Sequence, residues 1–576
     1  MRYLLVLLLA LPLSAQTPAV TLDDPTPPPE WALLERAVLD AASEGTHIFA
    51  NHYLDERNFL KCVERWGGND GADDAMENFG GWTLLYALGG DDSVLADYKR
   101  AWEGHITQFS EAKIESIEMA KNGMYWREFV TSFDWEHTGE AVAAFQLYGL
   151  ARPDDPLYRT RMRRFARFYT GDDPHADNYD RDKKIIKSIH NGSRGAKITP
   201  ASVHDWGGLA VEGDPERLTR YETASNIKGD HPLNLCTAAL GFNAHLLTGD
   251  NSYKDWALDY IGAWRDRIVE NGGNIPTNIG LDGTIGGEWD GKWYGGTFGW
   301  NFWPQSNSRN YFIRGPRIAL GVATLLSGDP KWLEPLRLQI RNLYAVKKVE
   351  NGRVLLPGKH GDDGWYGYRP SQHTDVQRDI YLYTFDKTHL EGLDGDPWMR
   401  YLAGDNPGYP AEALRGDLES IRRRVAGLKK DNQGRDQRTS DYPQRFNPAQ
   451  ADTLTELMLG ANPPGRSGNV LHTRLLYYDP DNQRVGLPAD VGSLVSKITP
   501  QVLTVELVNL HQVEPRTVIV KAGAYGEHQF KSVRSGGKQL AVNGTAFEIE
   551  LAPGSGGTLE IEMELLANSP KMGFPW

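Results

Sequence analysis

Five stretches of the chain hold side chains whose types and spacing could carry chemistry. The densest runs from Trp66 to Trp82 and contains Asp70, Asp73, Asp74, Glu77 and paired glycines. If Asp73 opens a helix, Asp73 and Glu77 share a face at i, i+4, with Asp74 beside them. Crowded carboxylates raise one another's proton affinity, so one could act as a general acid and another as a general base. The same acids suit the first turn of any helix, where the macrodipole favours negative charge. Calcium is a third use, although the spacing is not that of an EF-hand loop. The second stretch, Phe133 to Glu140, sets Glu136 beside His137, and a neighbouring carboxylate can hold an imidazole in one tautomer. A capped helix with a satisfied core histidine is its plainer reading.

The third stretch joins Arg220, Tyr221 and Glu222 to Asp230, His231 and Pro232. Pro232 fixes the backbone ahead of the helix that follows, which places Asp230 and His231 at a helix entrance. Acid, imidazole and phenol thus fall within twelve residues; a capping Asp and a surface His is the structural alternative. The fourth, Gly286 to Gly296, interleaves Trp289, Trp293 and Tyr294 with Glu288, Asp290 and Lys292, with Trp300, Trp303 and Arg309 behind it. The fifth, Lys359 to Pro370, carries His360, Asp362, Asp363, Trp365, Tyr366, Tyr368 and Arg369. Neither has helix or strand period. Glycine-hinged aromatic loops with interspersed charge suit a sugar, whose C–H faces stack on indoles while polar groups meet its hydroxyls.

The elements that must position these loops are mostly helical in pattern. From Trp31 to about Ala461, apolar faces recur at helical period, as in Trp31 to Leu39, Ala141 to Leu150, Leu235 to Leu247 and Pro316 to Leu326. A degenerate Leu-x-Gly-Asp corner ends several of them, at Gly89–Asp91, Gly249–Asp250, Gly328–Asp329 and Gly404–Asp405, with an aromatic residue following. Glycine closes one helix in the left-handed region and Asp caps the next. Repeated helical hairpins must stack to bury their faces, as a solenoid or a closed ring. The expected fold is therefore mainly α: an (α/α)6-type toroid over residues 31–461. After Pro463-Pro464-Gly465 the pattern becomes two-residue alternation, as in Val502 to Val508, Thr517 to Val520, Ala546 to Leu551 and Thr558 to Glu562, and predicts a small antiparallel β-sandwich over 465–566.

The ends and the composition bound the function. Arg2 and the apolar run Tyr3–Leu13, with small residues at Ser14-Ala15, predict a signal peptide over 1–15 and a secreted or periplasmic protein, free of the membrane after cleavage. Residues 16–30, with Pro27-Pro28-Pro29, read as a linker. A formal net charge of −14, from 62 basic and 76 acidic residues, argues against a nucleic-acid partner. The two cysteines, Cys62 and Cys236, could form a disulfide in an exported compartment or remain buried thiols. Seventeen Trp and 25 Tyr favour a carbohydrate ligand. There is no phosphate-cradling glycine loop, no zinc spacing and no nucleophile elbow, so neither metal nor cofactor is expected.

Taken together, the motifs resemble the (α/α)-toroid carbohydrate-active enzymes with a C-terminal β-sandwich, over most of residues 31–565. The run from Trp66 to Gly90, the Asp134–Glu140 block, Asn178-Tyr179-Asp180 with Asn191 to Gly195, and Trp293 to Gly296 look like the β-glucuronidases of glycoside hydrolase family 154. That resemblance implies exo-acting release of a uronic acid from a polysaccharide-derived oligosaccharide. The residues themselves give as catalytic candidates Asp73, Asp74, Glu77, Glu136, His137, Asp230, His231 and Tyr294. Candidates for substrate binding are Trp66, Arg220, Tyr221, Trp293, Trp300, Arg309, Trp365, Tyr366 and Arg369, the arginines being natural partners for a uronate. Asp74, Glu77, His137, His231 and Trp293 are expected to converge on one rim. Two alternatives stay open: a polysaccharide lyase that eliminates beside a uronate with His and Tyr, and a non-catalytic glycan-binding protein.

Overall fold

A computed structural model of the protein describes residues 17–63, 72–113, 123–126, 129, 130, 139, 142–174, 176, 178–187, 229–287, 290–295, 313–465, 468 and 470–576. The corners behave as their residue types dictate. Gly89, Gly249 and Gly328 take φ of 117°, 73° and 72°, a region that costs an L side chain strain. The Asp that follows then caps the next helix: Asp91 accepts from the Ser93 N–H (2.8 Å), Asp250 from Ser252 (2.9 Å) and Asp329 from Lys331 (2.9 Å). The fourth corner differs. Gly404 has φ of 90°, but the next helix, Tyr409–Lys430, starts after Gly408 rather than at Asp405.

The helices bury broad faces against one another. Glu30–Tyr53 packs along Tyr409–Lys430, and Trp82–Leu88 packs against both Asp92–Glu111 and Ala143–Ala151. Ala238–Thr248 is buried along most of its length between Pro156–Thr170, Asn251–Glu270 and Arg314–Ser327. Trp82, Trp264 and Trp398 are fully enclosed. Cys62 and Cys236 are both buried. Among the described residues no helix is long and apolar enough to cross a membrane.

Strands appear before, within and after the helices. In chain order they are β1 (Ala19–Leu22), β2 (Tyr125–Trp126), β3 (Phe129–Val130), β4 (Tyr179–Asp180), β5 (Ile185–Ile186), β6 (Lys348–Glu350), β7 (Arg353–Gly361) and β8 (Gly364–Arg369). The C-terminal region adds β9 (Leu475–Asp479), β10 (Arg484–Val485), β11 (Val491–Ile498), β12 (Val502–Asn509), β13 (Arg516–Ala522), β14 (Gln529–Ser535), β15 (Lys538–Gly544), β16 (Ala546–Leu551) and β17 (Gly556–Glu564). They form two five-stranded sheets, ordered β1-β16-β13-β9-β10 and β11-β12-β17-β14-β15. Phe530 of one sheet meets Phe547 of the other at 5.2 Å between ring centroids, consistent with a sandwich. Part of the proline-rich lead therefore has a structural use: β1 pairs in parallel with β16, and Leu22 is buried.

The expectation of a mainly α toroid is corrected. Of the described residues 45% are helical and 20% strand, and a closed ring of helical hairpins is not shown. Helical periodicity reports one local face at a time. It gave no weight to the sheet β6-β7-β8, which sits between the helices Glu334–Ala345 and Thr374–Thr384. Nor could it register that a strand preceding the first helix completes a sheet more than five hundred residues away.

The helical region meets the sandwich through Glu35, which is wholly buried and accepts the Ser493 N–H of β11 at 3.0 Å. Burial pushes its carboxyl from 4.5 up to about 8, so it is a neutral acid at pH 7. A carboxyl whose folded value is raised binds more protons folded than unfolded. Its stabilising contribution is complete below about 4.5 and is lost as pH rises to about 8. Glu35→Gln is therefore expected to flatten the pH dependence of stability across that window. Urea denaturation of both proteins at pH 5 and pH 8 checks this, with the wild type losing a few kcal/mol more, on the order of the shift.

Candidate functional site

The acidic loop folds as its spacing requires. Asp73 opens a short helix, Asp73–Glu77, with Asp73 buried and Asp74 and Glu77 half-buried. The helix is held by a segment far along the chain. Ser440 Oγ donates to Asp74 Oδ2 at 3.3 Å, and Gln444 Nε2 donates to Glu77 Oε2 at 2.9 Å. Asn78 Nδ2 donates to the Ser440 carbonyl at 2.7 Å, and Trp82 Nε1 donates to Asn447 Oδ1 at 3.0 Å. Behind the helix Asp73 lies close enough to the Tyr125 hydroxyl to add to the burial that opposes its ionisation.

Glu77 lines an open cavity of about 300 Å³ with Met76, Leu84, Leu147, Gln444 and Asp452. Asp452 opens the helix Asp452–Leu459. Its surface is exposed to the cavity, yet protein atoms crowd around it and displace much of its hydration. Burial of this kind raises its carboxyl above the ordinary range, against the opposing pull of Arg378. Asp417 stands behind it and is raised as well, first by burial and further by the Asp452 charge, while Thr453 donates to it. Asp452 was not singled out from the sequence, because one acid in the first turn of a helix resembles every other first-turn acid.

Asp230 occupies a different setting. It is wholly buried and accepts from Ile186 N (3.0 Å), His231 N (2.8 Å), Asn234 Nδ2 (2.8 Å), Tyr260 Oη (3.0 Å) and Trp264 Nε1 (2.9 Å). Burial outweighs these donors and pushes the carboxyl to about 6. Its backbone pairs with Ile279 in both directions, at 2.7 and 2.8 Å. Gly229 permits that approach, since a Cβ there would stand 1.8 Å from the Ile279 carbonyl oxygen. The arrangement is a tether with no room for a substrate. His231 is buried beside it.

The fourth and fifth stretches come together. Thr277 N donates to the Trp293 carbonyl at 2.7 Å, which fixes the aromatic loop to the segment paired with Asp230. Trp293, Tyr294 and Trp365 surround the His360 imidazole at centroid distances of 4.7, 4.6 and 4.8 Å. Asp362 at the hairpin turn accepts from Lys292 Nζ at 2.8 Å and from the Tyr294 hydroxyl at 2.9 Å. That carboxylate raises the Tyr294 hydroxyl, which keeps it protonated. His360 and Trp365 are cross-strand partners and so share a face. Tyr366, the next residue, pairs with Lys359 on the opposite face, so the two aromatic residues of one sequence motif serve different surfaces. Arg369 ends β8, exposed.

Asp74 and Glu77 thus share one clamp, and the turn of His231 is tied to the loop of Trp293 through Thr277–Ile279. Trp66, Glu136, His137, Arg220, Tyr221, Trp300 and Arg309 lie outside the described residues. Among the described residues no group of three or more His, Cys, Asp or Glu could hold a metal ion.

A family model described as a domain of unknown function, DUF8034, matches residues 19–213, 201–377 and 375–455. Comparison with curated proteins gives no match. Neither comparison links the chain to glycoside hydrolase family 154.

The Asp230 tether yields a direct expectation. Asp230→Asn keeps the shape but turns an acceptor oxygen into a donor facing N–H and O–H groups. It should cost roughly 2–4 kcal/mol, from buried donors left unpaired. Thermal unfolding at pH 7 would show a clear fall in midpoint, and an unchanged midpoint would remove Asp230 from its structural role.

Proposed function

The chain belongs to the DUF8034 family, and we propose that it is an exported glycoside hydrolase acting on polysaccharide-derived oligosaccharides, with release of a uronic acid as its reaction. The observation that carries the reading is the pair of carboxyl groups, Glu77 and Asp452, on the wall of one open cavity. Hydrolysis of a glycosidic bond needs one acid to protonate the leaving oxygen and one carboxylate to act from the other side. Asp452, raised by burial yet open to the cavity, suits the acid. Glu77, oriented by the Gln444 amide, suits the base or nucleophile. The cluster of Trp293, Tyr294 and Trp365 supports a carbohydrate ligand, because half-exposed aromatic faces are what a sugar ring stacks on. The uronic acid rests on the sequence resemblance.

Turnover of aryl β-glucuronides and of uronate-containing oligosaccharides tests this. Glu77→Gln and Asp452→Asn should each lower kcat by about 10²–10⁴, the usual worth of a positioned acid or base. Wild-type activity should fall as pH rises through the raised Asp452 value, and Asp452→Asn should abolish that limb. Products absorbing in the ultraviolet as conjugated unsaturated uronates would mean elimination instead. Binding without any turnover by the wild type would mean a glycan-binding protein.

A further inference from the structure

A second cavity, of about 370 Å³, lies between the helix Glu334–Ala345 and the turns Lys387–His389 and Glu391–Leu393. Its volume is that of a small-ligand site and exceeds what a bare inorganic anion fills. Among the described side chains that line it, three are cations, Arg337, Arg341 and Lys347, and one is an acid, Glu334. Arg337 is already engaged: Nη1 meets Glu334 at 3.0 Å, Nη2 donates to Asp386 at 2.6 Å, and Nε donates to His389 Nε2 at 3.1 Å. It forms a fixed and neutralised floor. Arg341 is exposed, with no ion pair to a described residue, and Lys347 holds its ammonium 5.6 Å from the Tyr344 ring centroid. Arg341 and Tyr344 stand three residues apart on one helix and share a face. The wall thus offers a forked cation, a second cation and an aromatic face, while Thr388 and His389 contribute polar groups. His389 accepts through Nε2, which leaves Nδ1 to carry its proton as a donor.

We propose that this cavity binds an anionic sugar residue, a pyranose carrying a carboxylate or a sulfate. Arg341 and Lys347 meet the anionic group, and Tyr344 meets the ring. A guanidinium suits either oxyanion because its fork matches both. The site lies apart from Glu77 and Asp452 and does not depend on hydrolysis. Calorimetric titration of the full chain with glucuronate, glucose 6-sulfate, glucose and sodium sulfate tests it. The two anionic sugars should bind, and Arg341→Ala with Lys347→Ala should weaken both at least ~10-fold, with affinity falling as salt rises. Both substituted side chains are exposed, so matching unfolding midpoints will show that the fold is intact. Glu77→Gln should leave this binding unchanged, which separates failure here from failure of the hydrolase reading. The proposal is overturned if neither anionic sugar binds, if glucose binds as tightly, if sodium sulfate binds as tightly as the sugars, or if the double variant binds like wild type.

Discussion

The middle of the molecule is organised around one buried carboxylate. Five donors reach Asp230 from β5, from the turn at His231 and Asn234, and from the helix Asn251–Glu270, and its backbone pairs with Ile279. An ion without solvent is tolerable only when fully hydrogen-bonded, so these groups have a single mutual arrangement that leaves none unpaired. The consequence reaches the surface. Ile279 is two residues from Thr277, which holds the Trp293 carbonyl, and Trp293 packs on His360 and Trp365. The aromatic cluster therefore owes its position to a charge buried well behind it.

The acidic loop is placed by a different device. Helix Asp73–Glu77 has five residues, too few to be stable alone. Ser440, Gln444 and Asn447 close over it, bonding to Asp74, Glu77 and the following Gly80 and Trp82. The same segment leads into the helix that carries Asp452. One stretch of chain thus orients Glu77 and delivers the Asp452 carboxyl to the same cavity, so the two acids are placed by shared backbone and not by independent loops.

How much of this was legible in the sequence depends on the range of the interaction. Three of the four Gly-Asp corners were readable because a cap is made within three residues, and so was the helix at Asp73. The C-terminal strands announced themselves by alternation. The tether at Asp230 was not readable, because its donors come from positions 186, 260 and 264, and no local pattern marks an acid that will be buried. The same limit hid Asp452, and it also hid the opposite faces of Trp365 and Tyr366, which need the register of β7 with β8. The toroid expectation failed for a related reason: a count of helical faces says how many surfaces must be covered but not what covers them.

Raised carboxyl groups are common in this molecule, so a raised value alone does not mark a catalytic acid. Glu35, Asp230 and Glu527 are pushed to about 8, 6 and 7, and each is sealed from solvent with zero exposure. Glu35 accepts from β11, and Glu527 accepts the Tyr525 N–H, so both serve packing inside or against the sandwich. A group that no substrate can touch cannot transfer a proton to one, whatever its affinity for that proton. Asp452 shares the physical cause, displacement of water by surrounding protein, but differs in access, because it forms part of a cavity wall. Access distinguishes it from the three sealed acids, and Glu77 lines the same cavity. Chemistry in this chain is therefore best sought where incomplete burial leaves a perturbed acid open to one side.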